Sequence, residues 1–470
     1  MTAEISVDVA IIGAGTAGLY ALREVRRARK SFVLIDAGPL GTTCARVGCM
    51  PSKVALHAAE LWHMRREHEE YGIRGTERLS IDRDRAWQKV RSMRDDFAAR
   101  GTGNAQKAAG EHLLMGRARF IEPTLLAVDT GQGEQRVRAG AVIIATGSRP
   151  VMPGFLQPFA EHCFTTDDLF ELEQLPQRLG VLGLGAIGLE IGLAMSRLGV
   201  EVFAADMANS IAGIADPEVG EAALEIFGKE IDIHLGAAAA LGEAEQGVLL
   251  KTAGGDIAVD KVLVALGRRP NVDGLNLAEA GFELDERGMP KYDPHTMQIA
   301  GHPVFMAGDA NAQRTLMHEA ADEGAMAGYN AARGLQQAFK RKTPLGIAFT
   351  QPDIVSVGER LDALDANSIL IGSASTEANG RSRILTQERG VLRIYADKES
   401  GLLLGAAMVG PRGEHVAQML AVAMEQGMTV HQLLQAPYYH PVVEEMVQSA
   451  LQDIARQMPQ SELPVGLTAL

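Results

Sequence analysis

Residues 8–36 read DVAIIGAGTAGLYALREVRRARKSFVLID, and residues 178–206 read RLGVLGLGAIGLEIGLAMSRLGVEVFAAD. The two segments align without a gap, and each contains an apolar strand, a glycine turn, an amphipathic helix, a second apolar strand and an acid. This order is the βαβ dinucleotide-binding fingerprint. A single G-x-G-x-x-G is weak support for a nucleotide site, but both copies here have the complete context. The sequence therefore predicts two dinucleotides, for which FAD and a nicotinamide are the obvious pair.

Each position of the fingerprint has a physical role. The first glycine makes a tight turn, the second lets the backbone approach a pyrophosphate, and the third lets the helix pack on the strand. The helix N-terminus offers free N–H groups to the phosphates, and the acid can bind a ribose hydroxyl. The FAD positions that we predict are Gly13, Gly15, Thr16, Ala17, Gly18 and Asp36. Those of the second site are Gly183, Gly185, Ile187, Gly188, Glu190 and Asp206.

The acid of the second copy bears on the choice of nicotinamide. Asp206 is followed by Met-Ala-Asn-Ser, and no arginine stands where a 2′-phosphate would need one. A carboxylate favours a free ribose 2′-hydroxyl, so we expect NAD(H). Three further strand exits, at residues 141–150, 261–270 and 305–309, have the same glycine-rich shape and indicate chain segments that converge on nucleotide sites.

Composition and charge exclude several functions. The chain has 470 residues, 46% hydrophobic and 22% charged, which fits a globular protein of two to four domains. Its formal net charge is -14, and it has no long basic tract, so we expect no nucleic-acid partner. No apolar run approaches the roughly eighteen residues that span a bilayer, and no signal peptide is visible. We expect a cytoplasmic enzyme.

The motif with the most distinctive chemistry is LGTTCARVGCMPSK at residues 40–53, which contains Cys44 and Cys49. Only three cysteines are present, and this spacing fits neither a C-x-x-C motif nor a zinc site, so we predict no metal. Residues 48–52 resemble a helix start, where the dipole would stabilise a thiolate. The alternative is a pair of buried structural cysteines. Cys163, in a loop-like stretch, is interpreted as an unpaired thiol.

With these motifs, the chain resembles the pyridine nucleotide–disulfide oxidoreductase family over essentially its whole length, and most closely the dihydrolipoamide dehydrogenase branch. The resemblance implies an α/β fold with two Rossmann-like dinucleotide-binding domains, for FAD and NAD, plus a C-terminal α+β dimerisation domain. The implied domains are 1–150 (FAD, first part), 151–272 (NAD), 273–344 (return to the FAD or central domain) and 345–470 (dimerisation).

The resemblance also assigns roles to residues. Cys49 is the thiol nearest the flavin, Cys44 is the interchange thiol that meets the substrate, and Lys53 lies close to the flavin N5 and pairs with Glu190. The remaining flavin-side positions that match are Thr43, Thr146, Gly147, Ser148, Asp309, Leu316, Met317 and His318, and Gly267 is a further predicted cofactor-binding residue. For His318, an ordinary histidine at a helix start is a competing interpretation.

The candidate base lies near the C-terminus, where residues 436–451 read APYYHPVVEEMVQSAL. His440 precedes a proline that we expect to open a helix, and Glu445 can hold the imidazole in one tautomer. The pattern matches the family's His-Pro-x-x-x-Glu, in which the histidine comes from the other subunit. The resemblance therefore implies a homodimer with a shared active site.

Several positions depart from the family's pattern. Val442 stands where threonine is usual, Tyr438 replaces a histidine, Thr42 replaces a glycine, and Ala45-Arg46 replaces Leu-Asn. The flavin site should tolerate these changes. Arg46 and Tyr438 bear instead on the entry of the disulfide substrate.

The function implied is oxidation of dihydrolipoamide by NAD+ to lipoamide and NADH, through FAD and the Cys44–Cys49 disulfide. The substrate is a lipoyl-type or other small dithiol, with a 2-oxo acid dehydrogenase complex as a candidate partner. Three alternatives stay open. One is an NAD(P)H-dependent reductase of another disulfide, a metal ion or a quinone. Another is a soluble transhydrogenase, which the cysteine pair disfavours. The third is a redox-sensing flavoprotein without turnover.

Overall fold

The computed structural model describes residues 4–387, 389–459, 464 and 466–468. The strands are β1 Ile5–Ile12, β2 Phe32–Asp36, β3 Leu113–Met115, β4 Arg117–Glu122, β5 Leu125–Asp129, β6 Glu134–Ile144, β7 Ser148–Pro150, β8 Cys163–Phe164, β9 Arg178–Leu182, β10 Glu201–Asp206, β11 Asp232–Leu235, β12 Ala240–Glu243, β13 Val248–Thr252, β14 Gly255–Val259, β15 Lys261–Val264, β16 Arg268–Pro270, β17 Val304–Met306, β18 Leu345–Ala348, β19 Asp353–Gly358, β20 Ile369–Ser375, β21 Val391–Asp397 and β22 Leu403–Gly410. The helices are α1 Thr16–Arg27, α2 Thr43–Arg46, α3 Cys49–His63, α4 Arg83–Ala109, α5 Thr166–Leu169, α6 Ala186–Arg197, α7 Pro217–Phe227, α8 Met317–Arg333, α9 Gly380–Ile384, α10 Gly413–Glu425, α11 Val430–Leu434 and α12 Glu445–Gln457.

The chain forms two compact units. The first comprises the chain up to Pro51, Lys89–Val151 and Gly267–Arg341, and the second comprises Ser52–Gln88, Met152–Leu266 and the chain from Lys342 onward. The fold class predicted from the sequence is confirmed: both βαβ segments form, as β1-α1-β2 and β9-α6-β10. The predicted domain boundaries stay predictions, and their outer ends, residues 1 and 470, lie outside the described residues.

The first unit is built on a sheet with strand order β3-β2-β1-β6-β5-β4, in which β17 also pairs with β6. The central strands β2, β1, β6 and β17 run parallel. Strand β1 is buried on both faces: Val9 and Ile11 belong to one apolar cluster, whereas Ala10 and Ile12 belong to another. This two-sided burial explains why its sequence is a continuous apolar run.

Helix α8 packs tightly on α1 in the first unit. A Cβ on Gly324 would lie 2.1 Å from the Ala17 carbonyl oxygen, and one on Gly328 would lie 2.4 Å from that of Ala21. Two glycines one turn apart therefore let the two helix backbones touch. This contact holds α8 against the helix that follows the first glycine turn.

The second unit contains a parallel sheet of order β11-β10-β9-β15-β8 and an antiparallel sheet of order β12-β13-β14. Cys163, which we expected in a loop, lies in the short strand β8 at the edge of the parallel sheet and is half-buried. A two-residue strand is too short to be recognised by periodicity. Its neighbour Phe164 is buried beside β15.

A second antiparallel sheet of this unit has the order β18-β19-β22-β21-β20. Helix α12 packs on β20, and a Cβ on Gly372 would lie 2.0 Å from the Ala450 carbonyl oxygen of that helix. A large apolar cluster, which includes Leu392, Met408 and Leu451, fills the space between the strands and the helices. Within the described ranges, no helix combines the length and apolar composition that crossing a membrane requires.

Gly372→Ala should destabilise the protein, because the new methyl group would overlap the α12 backbone. Overpacking of this kind costs about 1–3 kcal/mol. The matched control is Gly346→Ala in β18 of the same sheet, where a Cβ meets no atom within 4 Å, and we expect a change below about 0.5 kcal/mol there. Thermal unfolding of both variants checks the difference, and equal melting temperatures would contradict it.

Candidate active site

The two glycine turns have the same geometry. Gly13 and Gly183 adopt φ values of 110° and 94°, which the tight turn requires. A Cβ on Gly18 would lie 1.9 Å from the Gly13 carbonyl oxygen, and a Cβ on Gly188 would lie 1.9 Å from that of Gly183. The first and third glycines thus do what the sequence predicted: they make the turn and bring the helix onto the strand.

The second glycine of each turn is open. A Cβ on Gly15 or Gly185 would meet no atom within 4 Å, and each of these glycines is an N-cap without a side-chain hydrogen bond. Free N–H groups at an uncapped helix start are suited to a pyrophosphate. Thr16 and Ala17 follow Gly15 in the first turn of α1, and Ile187 is exposed in the first turn of α6. Both turns fit a dinucleotide.

The terminal acids have a further role that the sequence did not reveal. Asp36 accepts hydrogen bonds from the backbone N–H groups of Ala14 at 2.7 Å and Gly38 at 2.6 Å. Asp206 does the same with Leu184 at 2.6 Å and Ala208 at 2.9 Å. Each carboxylate therefore braces its own glycine turn. Since a carboxylate has about four acceptor positions, it can still accept a ribose hydroxyl.

The predicted flavin-side loops lie together in the first unit. Ser148 donates to Asp309 Oδ2 at 2.7 Å and accepts from Arg268 Nε at 2.8 Å. Thr146 Oγ1 is buried without a hydrogen-bond partner in the part of the chain that the structure describes. A buried orphan hydroxyl needs a partner, and a polar cofactor supplies one. These residues therefore fit FAD.

Arg268 and Glu323 support these loops and were not predicted. Glu323, which is fully buried, accepts from the Gly308 N–H group and from Asn311 Nδ2, both at 2.7 Å. It holds the turn that carries Asp309. Arg268 could have been predicted as a supporting residue, because it directly follows Gly267 in the strand exit of residues 261–270. Glu323 could not, because a glutamate within a helix has no distinctive sequence context.

The remaining predicted cofactor-binding residues are more exposed. Leu316, Met317 and His318 form the exposed N-terminal end of α8. Gly147 and Gly267 have φ values of 68° and 97°, so both turns need glycine. Thr43 is exposed at the start of α2.

Cys44 and Cys49 come together in the first unit as two thiols. The hydrogen bond between them, together with burial, raises the pKa of the Cys44 thiol. Cys49 is exposed and is the first residue of α3, so the predicted helix start is confirmed. Cys49 therefore lies at a helix N-terminus, where the backbone dipole favours a thiolate.

Thr42 and Arg46 explain how the altered motif is tolerated. The Thr42 hydroxyl accepts from the Ala45 N–H group at 3.2 Å and caps α2, so the threonine has a structural use where glycine is usual. The Arg46 stem packs over Gly41, with Cδ 3.2 Å from the position of a Gly41 Cβ.

Lys53 and Glu190 form the predicted pair in the second unit. Lys53 Nζ lies 2.7 Å and 2.9 Å from the two oxygens of Glu190, which is buried. The Phe349 N–H group donates to Glu190 at 2.9 Å, and the Phe349 ring centroid lies 4.7 Å from Lys53 Nζ. Phe349 was not predicted, because its main contribution is a backbone donor.

His440 and Glu445 also lie together in the second unit. His440 Nδ1 lies 2.9 Å from Glu445 Oε1, and the imidazole is 78% exposed. A carboxylate only accepts, so Nδ1 carries the proton and the exposed Nε2 has the free lone pair of a base. Burial opposes ionisation of Glu445, but hydrogen bonds from His440 and Val442 lower the pKa of this carboxyl below its usual value.

The proline does not open the helix as predicted. Residues 441–444 are not helical, and α12 begins at Glu445. Val442 holds Glu445 through its backbone N–H group, 3.1 Å from Oε2, so a threonine side chain is dispensable there. The Tyr438 hydroxyl donates to the Leu433 carbonyl at 3.2 Å, and burial raises the pKa of Tyr438 to about 12. The Tyr438 hydroxyl therefore ties this residue to α11, which contains Leu433.

Two dinucleotide turns, a redox-capable thiol pair and a base held by a carboxylate define a flavoprotein disulfide oxidoreductase. Residues 7–324 match the model of the pyridine nucleotide-disulphide oxidoreductase family, and residues 345–451 match its dimerisation domain. The chain belongs to this family. Its members use FAD and NAD(H), so both predicted cofactors are confirmed, and the dimerisation-domain match supports the predicted homodimer.

Similar proteins agree with this assignment. The dihydrolipoyl dehydrogenase of Thermus scotoductus is 32% identical over 96% of this chain and 98% of its own length. That of Haloferax volcanii is 31% identical over 96% of each chain. Two solved structures share the fold. LpdA from Mycobacterium tuberculosis has a TM-score of 0.84 at 23% identity, covering 96% of this chain and 100% of its own. The HOCl-induced flavoprotein disulfide reductase RclA from Escherichia coli has a TM-score of 0.82 at 22% identity, covering 95% and 99%.

Gly15→Ala and Gly18→Ala should separate cofactor binding from folding. The Gly15 methyl group would enter open space, so the FAD-free protein should keep its melting temperature while its affinity for FAD falls at least about tenfold, because the pyrophosphate can no longer approach the backbone. The Gly18 methyl group would overlap the Gly13 carbonyl, so stability and affinity should both fall. Unaltered FAD binding by Gly15→Ala would contradict this interpretation.

Proposed function

We propose that this enzyme is a dihydrolipoyl dehydrogenase, which oxidises a dihydrolipoyl dithiol with NAD+. The observation that carries the proposal is the hydrogen-bonded pair of thiols formed by Cys44 in α2 and Cys49 at the start of α3. Relatives about 30% identical over nearly the whole chain are dihydrolipoyl dehydrogenases. A lipoyl substrate matches the chemistry, because a molecule that carries two neighbouring thiols reduces a protein disulfide through a single mixed disulfide.

The exchange begins with the oxidised Cys44–Cys49 pair. A substrate thiolate attacks Cys44 Sγ, the bond between the two cysteines breaks, and Cys49 leaves as a thiolate. The second substrate thiol then displaces Cys44 from the mixed disulfide, which closes the substrate disulfide and returns Cys44 as a thiol. Two electrons have passed to the cysteine pair. When bound, FAD supplies the route by which these electrons reach NAD+ as hydride.

His440 of the partner subunit is the proposed base. Its exposed Nε2 lone pair takes the proton of the attacking substrate thiol, while Glu445 stabilises the imidazolium that forms. The strong exposure of His440 within its own chain supports a role at a subunit boundary. The low pKa of Glu445 keeps this carboxylate ionised through the neutral range, so it can hold the imidazole throughout turnover.

Two further parts of the proposal concern the partner complex of the enzyme and its location in the cell. A 2-oxo acid dehydrogenase complex is the proposed partner, because such complexes carry lipoyl groups that must be reoxidised. We also propose a cytoplasmic location, which is supported by thiols that must cycle in a reducing compartment.

The decisive assay compares substrates on the purified holoenzyme. Dihydrolipoamide with NAD+ should give the highest kcat/KM. It should exceed NADH-driven reduction of glutathione disulfide, other small disulfides and quinones by roughly a hundredfold, because only the dihydrolipoyl dithiol closes its own disulfide ring. A higher kcat/KM for one of the other acceptors would contradict the lipoyl substrate and indicate that acceptor as the substrate instead. Absence of any NADH-dependent activity would favour a redox-sensing flavoprotein.

Cys49→Ser should abolish the long-wavelength charge-transfer absorbance that appears on two-electron reduction, because serine offers no thiolate to the flavin. Cys44→Ser should keep a thiolate at Cys49 and retain the band. Cys163→Ser is the control and should behave as the wild type, since Cys163 lies in β8. A band that survives in Cys49→Ser would show that the polarity of the pair is reversed.

The shared active site can be tested by subunit mixing. Homodimers of Cys44→Ser and of His440→Ala should each be inactive with dihydrolipoamide. In an equal mixture half of the dimers are heterodimers, and each of these has one intact site, so activity should recover to about a quarter of the wild-type value. If the base and the cysteines came from one chain, no heterodimer would have an intact site, and the mixture would stay inactive. A second mixture, of the double variant Cys44→Ser/His440→Ala with wild type, should give the reverse result: its heterodimers should have no intact site if sites are shared, but one if they are not.

A further inference from the structure

Helices α3 and α6 are joined by two ion pairs. Lys53 on α3 binds Glu190 on α6 at 2.7 Å. Two turns further along each helix, Glu60 on α3 accepts from Arg197 on α6 at 2.9 Å. The charges are exchanged between the helices, with the cation on α3 in the first pair and on α6 in the second. One register of α3 against α6 therefore satisfies both pairs, and a slip of a single residue breaks both.

Arg197 is the rigid member of this arrangement. Its side chain is only 4% exposed, and its guanidinium also donates to both oxygens of Glu230, at 2.9 Å and 3.0 Å. A planar fork held by two carboxylates has little freedom to rotate. Arg197 therefore fixes where Glu60, and with it the last turns of α3, can lie.

The segment 349–351 connects the two pairs. The Phe349 N–H group donates to Glu190 at 2.9 Å, and the Gln351 carbonyl accepts from Arg197 at 2.7 Å. With its amide nitrogen turned toward Glu60, Gln351 also donates to both oxygens of that carboxylate, at 2.7 Å and 2.8 Å. Gln351 has a φ of 49°, which a residue other than glycine adopts only where its neighbours hold it.

Lys53 is the mobile member. Its side chain is 34% exposed, whereas that of Glu190 is 7% exposed. Lys53, Glu60 and Arg197 line the same cavity of about 600 Å³, which leaves room for the lysine to move if α3 shifts. The position of the ammonium group therefore depends on the register of α3.

We propose that Glu60 and Arg197 are positioning residues for Lys53, because their ion pair sets the register of α3 that places the lysine. This inference rests on the proposed role of Lys53 beside the flavin. Neither residue touches substrate or cofactor in this proposal; both act through the lysine.

The test uses the FAD-loaded dimer and the variants Glu60→Gln and Arg197→Lys. Each should lower kcat roughly 10- to 100-fold, the effect expected of a misplaced active-site group, and weaken the charge-transfer absorbance, with KM for dihydrolipoamide changed less than about threefold. The matched control is Arg393→Lys. Arg393 is 11% exposed and also binds two acids, Asp216 and Glu218, but it lies on β21 and contacts neither α3 nor α6 through these bonds. It should lower the melting temperature and leave kcat and absorbance unchanged.

A double-mutant cycle separates this inference from the role of Lys53 itself. In a Lys53→Met background, Glu60→Gln should cause no further loss of kcat, because both changes act on one group. Additive losses of kcat in the double variant would overturn the inference. It would also be overturned if Glu60→Gln lowered the melting temperature as Arg393→Lys does but left kcat and the charge-transfer absorbance unchanged. If Lys53→Met alone leaves both unchanged, the proposed role of Lys53 fails and the inference fails with it. Should Arg197→Lys not accumulate as holoenzyme, Glu60→Gln decides the matter, since it leaves Arg197 paired with Glu230.

Discussion

In both fingerprints the first turn of a helix lies so close to the end of the preceding strand that no side chain fits between them. The third glycine has no room for a Cβ, which would lie 1.9 Å from a carbonyl oxygen in each copy. This approach directs the free N–H groups of α1 and α6 outward beside an open second glycine. In the first unit, α8 then packs on α1 through two more glycines, which places the Gly308–Asp309 turn beside Ala17. The cofactor site therefore depends on contacts that only glycine allows.

Much of the fold could be predicted because its determinants are local. A βαβ unit is determined by about thirty consecutive residues, and both copies contain the strand, turn, helix and acid in the same order. Features set by few residues were harder to read. Strand β8 has two residues, and Pro441 suggested a helix start that the chain delays until Glu445. A proline marks where a helix can begin, but it does not require one.

The redox pair could be predicted from residue types, whereas its supports could not. Cysteines are rare in this chain, and a lysine, a glutamate and a histidine matched a known pattern. The groups that orient them are mostly backbone donors: the Phe349 N–H group on Glu190 and the Val442 N–H group on Glu445. Every residue except proline has such a donor, so its position carries no signal in the sequence. The same reasoning explains why valine is acceptable at position 442.

Asp206 has a predicted role in cofactor choice and a structural role in its own turn, and this combination limits how the protein could evolve a different cofactor preference. The carboxylate that we predict to discriminate between the two nicotinamide dinucleotides also accepts hydrogen bonds from the backbone amides of Leu184 and Ala208. Replacing it by a cationic side chain would remove a group expected to repel a 2′-phosphate and, in the same step, release the loop that is predicted to receive the pyrophosphate. A lineage that adopts the phosphorylated dinucleotide must therefore acquire a new acceptor for these two amides, which makes the present preference harder to lose than a single contact would.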